Sequence, residues 1–138
     1  RGRGLLVDDA YNASTPEAME AALEVLDQLP GTRKIAVLAD MLELGPASEA
    51  AHAEVGRAAA RRDLRLITIG PRARGFARAA REAGLPPDQV AEWEDQEAGL
   101  AALWRVYEPG AVVLVKGSRG MALEGVVQAI QEREGAEW

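Results

Sequence analysis

Residues 111–121, AVVLVKGSRGM, run five aliphatic side chains straight into a glycine-rich turn, and a helical pattern follows. The run does not alternate apolar with polar residues, so it reads as a strand buried on both faces, as in a parallel sheet. Two other stretches have the same form. Leu5-Leu6-Val7 leads into DDAYNAS at 8–14, and Ile35-Ala36-Val37-Leu38 leads into LADMLELG at 38–45. In open α/β sheets, ligands bind at the loops that leave the carboxyl ends of strands. The scarce polar residues gather there: the only Asn is Asn12, two of the three Ser are Ser14 and Ser118, and one of the two Lys is Lys116.

Between these strands the apolar period becomes helical. Met19, Ala22, Leu23 and Leu26 predict an amphipathic helix from Pro16 to about Leu29, with Thr15 as N-cap and Pro16 where a missing N–H costs nothing. A helix from about Ala47 to Arg62 has Ala51 and Val55 inward. Leu64–Ile69 reads as a strand stopped by Gly70-Pro71, and Gln89–Trp93 as a weaker one. Phe76, Ala77 and Ala80 mark the helix between them. Leu100, Leu103, Trp104 and Tyr107 mark a helix before the 111–115 strand; Leu123, Val126, Val127 and Ile130 mark the last helix. Strands alternating with helices predict an α/β, three-layer α/β/α Rossmann-like fold with a mainly parallel five-stranded sheet and right-handed crossovers. The pattern alone leaves the strand order open. The expected division is a linker remnant at 1–4, one domain at 5–133 and a tail at 134–138.

A chain of 138 residues is long enough for a single core, and the 4% aromatic content makes that core aliphatic. The absence of Cys excludes disulfides and thiolate zinc sites. A net charge of −6 argues against a nucleic-acid surface. No run approaches the roughly 20 apolar residues that span a bilayer. The expectation is a cytoplasmic protein without membrane or nucleic-acid partners.

Each loop has a functional and an ordinary reading. Asp8-Asp9 after a buried strand suits ribose hydroxyls or a cation, or is simply a pair of acids favoured near a helix start. In Lys116-Gly117-Ser118-Arg119-Gly120 the glycines admit close approach, the N–H groups of Ser118 to Gly120 attract anions, and Lys116 and Arg119 add charge. The ordinary reading is a capped turn. GxxxxGK[ST] is absent, so this is not a Walker loop. Asp40 beside Met41, Leu42 and Leu44 mixes an acceptor with small apolar walls, as a small-peptide pocket requires, although Met41 and Leu44 also suit a core lid. His52, the only His, lies on the Ala51/Val55 side of its helix, has no second His or Cys to build a metal site and reads as a boundary-packing residue.

Together these loops resemble the Mur ligase family, and within it the C-terminal domain of the ligases that join D-alanyl-D-alanine to UDP-N-acetylmuramoyl-tripeptide. The likeness runs from about Gly4 to Ile130. LADMLELG ahead of a helix and VKGSRGM opening the last helix are its specific marks, while the acidic loop with Tyr11-Asn12 is shared with sister ligases. Ser14-Thr15-Pro16 adds one residue to the family's pattern, which shifts the alignment of Asn12 to Thr15 by up to one position. TPEAMEAAL at 15–23 resembles the sister ligase that adds the third amino acid.

The resemblance implies strand order 1-5-2-3-4 and an ADP-forming amide ligase of peptidoglycan precursor synthesis. ATP with Mg2+ would be bound mainly by a central domain. Asp9 would meet the ATP ribose, with Tyr11 and Asn12 near the base. On physical grounds rather than from the resemblance, Arg119 and the N–H groups of Ser118 to Gly120 would receive the dipeptide carboxylate, with Lys116 close behind, Asp40 nearest its ammonium if that strand order holds, and Met41 in the wall. The implied partners are a central ATPase domain and an N-terminal UDP-sugar-binding domain of the same polypeptide. No catalytic residue and no metal ligand is expected in residues 1–138, which alone would be inactive. A rival from another class is a phosphorylation receiver, whose paired acids after the first strand and Lys after the fifth are matched by Asp8, Asp9 and Lys116. That rival needs an acid after the third strand, where Ile69-Gly70-Pro71 stands. A stand-alone α/β binding module is a third reading.

Overall fold

The strands are β1 (Leu5–Asp8), β2 (Lys34–Ala39), β3 (Arg65–Ile69), β4 (Val90–Trp93) and β5 (Val112–Lys116). They form one sheet in the order β1-β5-β2-β3-β4, with every pair parallel. The source is a computed structural model describing residues 5–8, 15–118 and 123–134; β1 and residues 133–134 are described by backbone alone. The helices are α1 (Pro16–Gln28), α2 (Ser48–Ala60), α3 (Arg74–Glu82), α4 (Gln96–Val106) and α5 (Glu124–Glu134).

Local chemistry sets the boundaries. Thr15 is extended, and its hydroxyl oxygen accepts the Ala18 N–H at 3.1 Å, so α1 starts at Pro16. Asp95 does the same for α4, accepting from the Ala98 N–H at 2.8 Å. A 3₁₀ turn over Gly45–Ala47 precedes α2, which therefore begins at Ser48. The last helix continues to Glu134, one residue into the stretch expected as tail.

Successive strand residues face opposite sides of the sheet, so each strand feeds two cores. Ala36, Leu38, Leu66, Val112 and Leu114 pack under α1, α2 and α3 with Met19, Leu23, Val55 and Phe76. Ile35, Val37, Ile67, Ile69, Val113 and Val115 pack under α4 and α5 with Leu103, Val126 and Ile130. The result is three layers with an aliphatic interior. No helix among the described residues is long and apolar enough to cross a membrane.

The register positions the site. Asp8 lies beside Val115, Leu38 beside Lys116 and Ala39 beside Ile69. The carboxyl ends of β1, β5, β2 and β3 are therefore level, and the exits of β5 and β2 are neighbours.

Candidate functional site

The loop leaving β2 begins with Asp40, whose side chain is closed off from solvent at 1% exposure. A carboxylate so placed needs donors. Oδ1 accepts the Ala73 N–H at 2.7 Å, and Oδ2 lies 3.6 Å from the Arg72 guanidinium. Room for it comes from Gly70, at φ 115°, where a Cβ would sit 2.5 Å from Oδ1. The exit of β3 is thus shaped around an acid supplied by β2.

The next two amides are taken up by side chains. The Met41 N–H donates to Nε2 of His52 at 3.0 Å, and the Leu42 N–H donates to Oγ of Ser118 at 2.7 Å. Ser118 in turn donates its own N–H to the Asp40 carbonyl at 3.0 Å. Glu43 then adopts φ 63°, a left-handed conformation uncommon outside glycine. At Gly117 a Cβ would come within 2.6 Å of the Ala39 Cβ. The glycine there lets the exits of β2 and β5 touch, so its small size serves the chain's own packing.

These contacts bring Asp40, Met41, Lys116 and Ser118 together, but in different roles. Asp40 was expected to face a ligand's ammonium; its oxygens are held by Ala73 and Arg72. The Met41 side chain is fully buried in the core beneath α1–α3, so the wall that this stretch offers outward is Leu42 to Leu44. Lys116, at the last position of β5, is also fully buried. The Ser118 N–H, expected to meet an anion, is spent on the Asp40 carbonyl; its hydroxyl hydrogen is the donor that remains. Asp9, Tyr11, Asn12 and Arg119 lie outside the described residues.

His52 differs from its sequence reading. It is 1% exposed and bonded at both ring nitrogens, with Nδ1 2.7 Å from the Ser48 carbonyl oxygen. The available signal was a Ser one turn before a lone His on an Ala-rich helix. Sequence reasoning also missed a cavity of about 380 Å³ between the starts of α2 and α3, lined by Pro46, Glu49, His52, Arg72, Arg74 and Arg78 among others. Among the described residues no three His, Asp or Glu side chains cluster as a metal site would require. The position after β3 is Gly70, whose N–H donates to the Trp93 carbonyl at 2.9 Å. β3 is followed by no acid of its own, only Gly70-Pro71, so the residue a receiver would phosphorylate is missing and the receiver reading fails.

Comparison with known proteins agrees with the loops. The profile of the Mur ligase glutamate ligase domain matches residues 1–119. The UDP-N-acetylmuramoyl-tripeptide–D-alanyl-D-alanine ligase of Escherichia coli is 39% identical over 132 residues, covering 93% of this chain and 27% of that protein. The Bacillus subtilis enzyme of the same name is 35% identical over 129 residues, covering 92% and 28%. The crystal structure of the Thermotoga maritima MurF ligase in complex with ADP superposes with a TM-score of 0.76 at 30% identity, covering 98% of this chain and 29% of that one. The chain thus spans little more than a quarter of the length of these relatives. With the profile matching most of its length, the chain belongs to the Mur ligase family, of which it carries the glutamate ligase domain.

Proposed function

We propose that this chain is the C-terminal domain of an ATP-dependent ligase that joins D-alanyl-D-alanine to UDP-N-acetylmuramoyl-tripeptide. The observation that carries the reading is the single wall made by the exits of β2 and β5. The two loops specific to that ligase are tied together there, through Leu42 to Ser118 and Ser118 to Asp40. Similarity to relatives of that name supports the substrate choice.

In the proposed reaction the tripeptide carboxylate takes the γ-phosphoryl group of ATP, giving an acyl phosphate and ADP. The dipeptide amine, having lost a proton, attacks the acyl carbon. The tetrahedral intermediate then gives up a proton from nitrogen to the departing phosphate or to water and collapses, expelling inorganic phosphate and leaving the amide. The role of this chain is placement: it brings the dipeptide and part of the nucleotide to a carboxylate held by the rest of the polypeptide. Mg2+ accompanies ATP on the central domain, and no step is assigned to a metal on the described residues. Asp9 takes the ribose hydroxyls, with Tyr11 and Asn12 near the base. Arg119 and the Ser118 hydroxyl receive the dipeptide carboxylate. Lys116, Asp40 and Met41 back this wall from inside.

The test is ADP release by the full-length polypeptide with each acceptor in turn. Release that needs both the UDP-linked tripeptide and D-alanyl-D-alanine supports the reading. Release with a UDP-linked dipeptide and a single amino acid assigns the chain to the sister ligase. No release with either acceptor leaves a binding module.

A further inference from the structure

A side chain that merely fills a core need not accept a hydrogen bond from the loop above it. His52 does, and its surroundings leave it one orientation. Its ring lies 4.7 Å from that of Phe76, and Gly75 lacks a Cβ that would lie 2.9 Å from the His52 Cβ. Nδ1 gives its hydrogen to the Ser48 carbonyl one turn earlier, at 2.7 Å. That bond fixes the tautomer and leaves the Nε2 lone pair for the Met41 N–H.

We propose that His52 is a positioning residue, which shapes the Met41–Leu44 wall for the dipeptide through its hydrogen bond to the Met41 amide. The proposal rests on the ligase reading above. Glu43, at φ 63°, is a strained turn residue, and such conformations persist only where their surroundings over-determine them. Here the over-determination comes from just ahead of the turn, with His52 holding residue 41 and Ser118 holding residue 42. Released at Met41, the stretch relaxes toward ordinary backbone angles, and Leu42 and Leu44 leave their places. The ATP end is proposed on the loop after β1, to which neither His52 nor Met41 belongs. A defect from losing their contact therefore falls on the dipeptide.

Three substitutions in the full-length enzyme separate this role from packing. His52→Gln brings an amide oxygen to about the place of Nε2, His52→Asn puts its amide near that of Nδ1, and His52→Phe keeps the ring shape with neither. The readouts are amide exchange of segment 38–46 by mass spectrometry and the KM for dipeptide against that for ATP. The Asn and Phe variants should exchange faster over 40–44 and raise the dipeptide KM roughly tenfold, with the ATP KM within about twofold of wild type. Gln should restore both. A Phe variant matching wild type, equal defects in all three variants, or a KM for ATP rising in step would overturn the proposal. If Asn or Phe fails to melt cooperatively, the contrast of the other with Gln decides; if Gln fails, Asn and Phe are each read against wild type, and wild-type exchange or a wild-type dipeptide KM in both overturns the proposal. A wild-type enzyme that makes no ADP with the dipeptide sinks the ligase reading instead. The exchange pattern then decides the His52–Met41 contact alone: Gln protected with Asn and Phe exposed supports it, and the reverse overturns it.

Discussion

Gly70→Ala probes the buried acid at the centre of the site. Two costs add. An alanine held at φ 115° bears backbone strain of order 1–3 kcal/mol. Its Cβ, 2.5 Å from Oδ1, also pushes Asp40 off the Ala73 N–H, and a hydrogen bond to an ionised acceptor is worth about 1.5–3 kcal/mol. The sum is roughly 2.5–6 kcal/mol. Gly84 is the control: it has nearly the same φ, 113°, but nothing lies within 4 Å of the Cβ position. Gly84→Ala should therefore show the strain alone. Urea unfolding of both variants, compared at unchanged m, gives the difference directly. In an Asp40→Ala background, Gly70→Ala should fall to the cost of Gly84→Ala, a coupling that a double-mutant cycle reads. Equal costs for Gly70→Ala and Gly84→Ala in the wild-type background would refute the seating of Asp40 against Gly70.

The Glu20 carboxyl is held above its ordinary value of 4.5, first by burial and then by the hydrogen bond and charge of Glu54. Because the folded value is the higher one, the protonated form is favoured in the fold, and stability falls as pH rises from the ordinary value through the raised one. Glu20→Gln should therefore raise stability at pH 7, by less than about 1 kcal/mol for so solvated a pair, and change nothing near pH 3; thermal melts at both values check this. In the full-length enzyme Asp9→Ala should lower kcat/KM for ATP roughly tenfold to a hundredfold, and the same loss from Asp8→Ala instead would move the ribose contact by one residue. Arg119→Lys should raise the KM for the dipeptide and leave that for ATP nearly unchanged, since Lys lacks the bidentate fork. A defect confined to ATP would hand this loop to the nucleotide.

What the sequence disclosed follows from range. Strands and caps are local: the unbroken run at 111–115 and the Thr15-Pro16 pair carry their meaning within a few residues. Nothing in the apolar pattern says that β5 lies between β1 and β2; only the family resemblance implied an order. The roles of Asp40 and His52 depend on contacts 33 and 11 residues away. Gly70-Pro71 read as a strand stop, and no neighbouring residue announced that the glycine also makes room for a carboxylate from another strand. Met41 shows the same limit. An apolar residue next to an acid suits a pocket wall and a core lid equally, and the tertiary fold turned its side chain inward.

The most direct test of the ligase account follows oxygen. The full-length enzyme is supplied with ATP, D-alanyl-D-alanine and UDP-N-acetylmuramoyl-tripeptide labelled with oxygen-18 in its terminal carboxylate, and product and released phosphate are examined by mass spectrometry. An acyl-phosphate route gives a precursor lengthened by the dipeptide and one labelled oxygen in each phosphate. Unlabelled phosphate, or ATP consumed without the lengthened product, would contradict it.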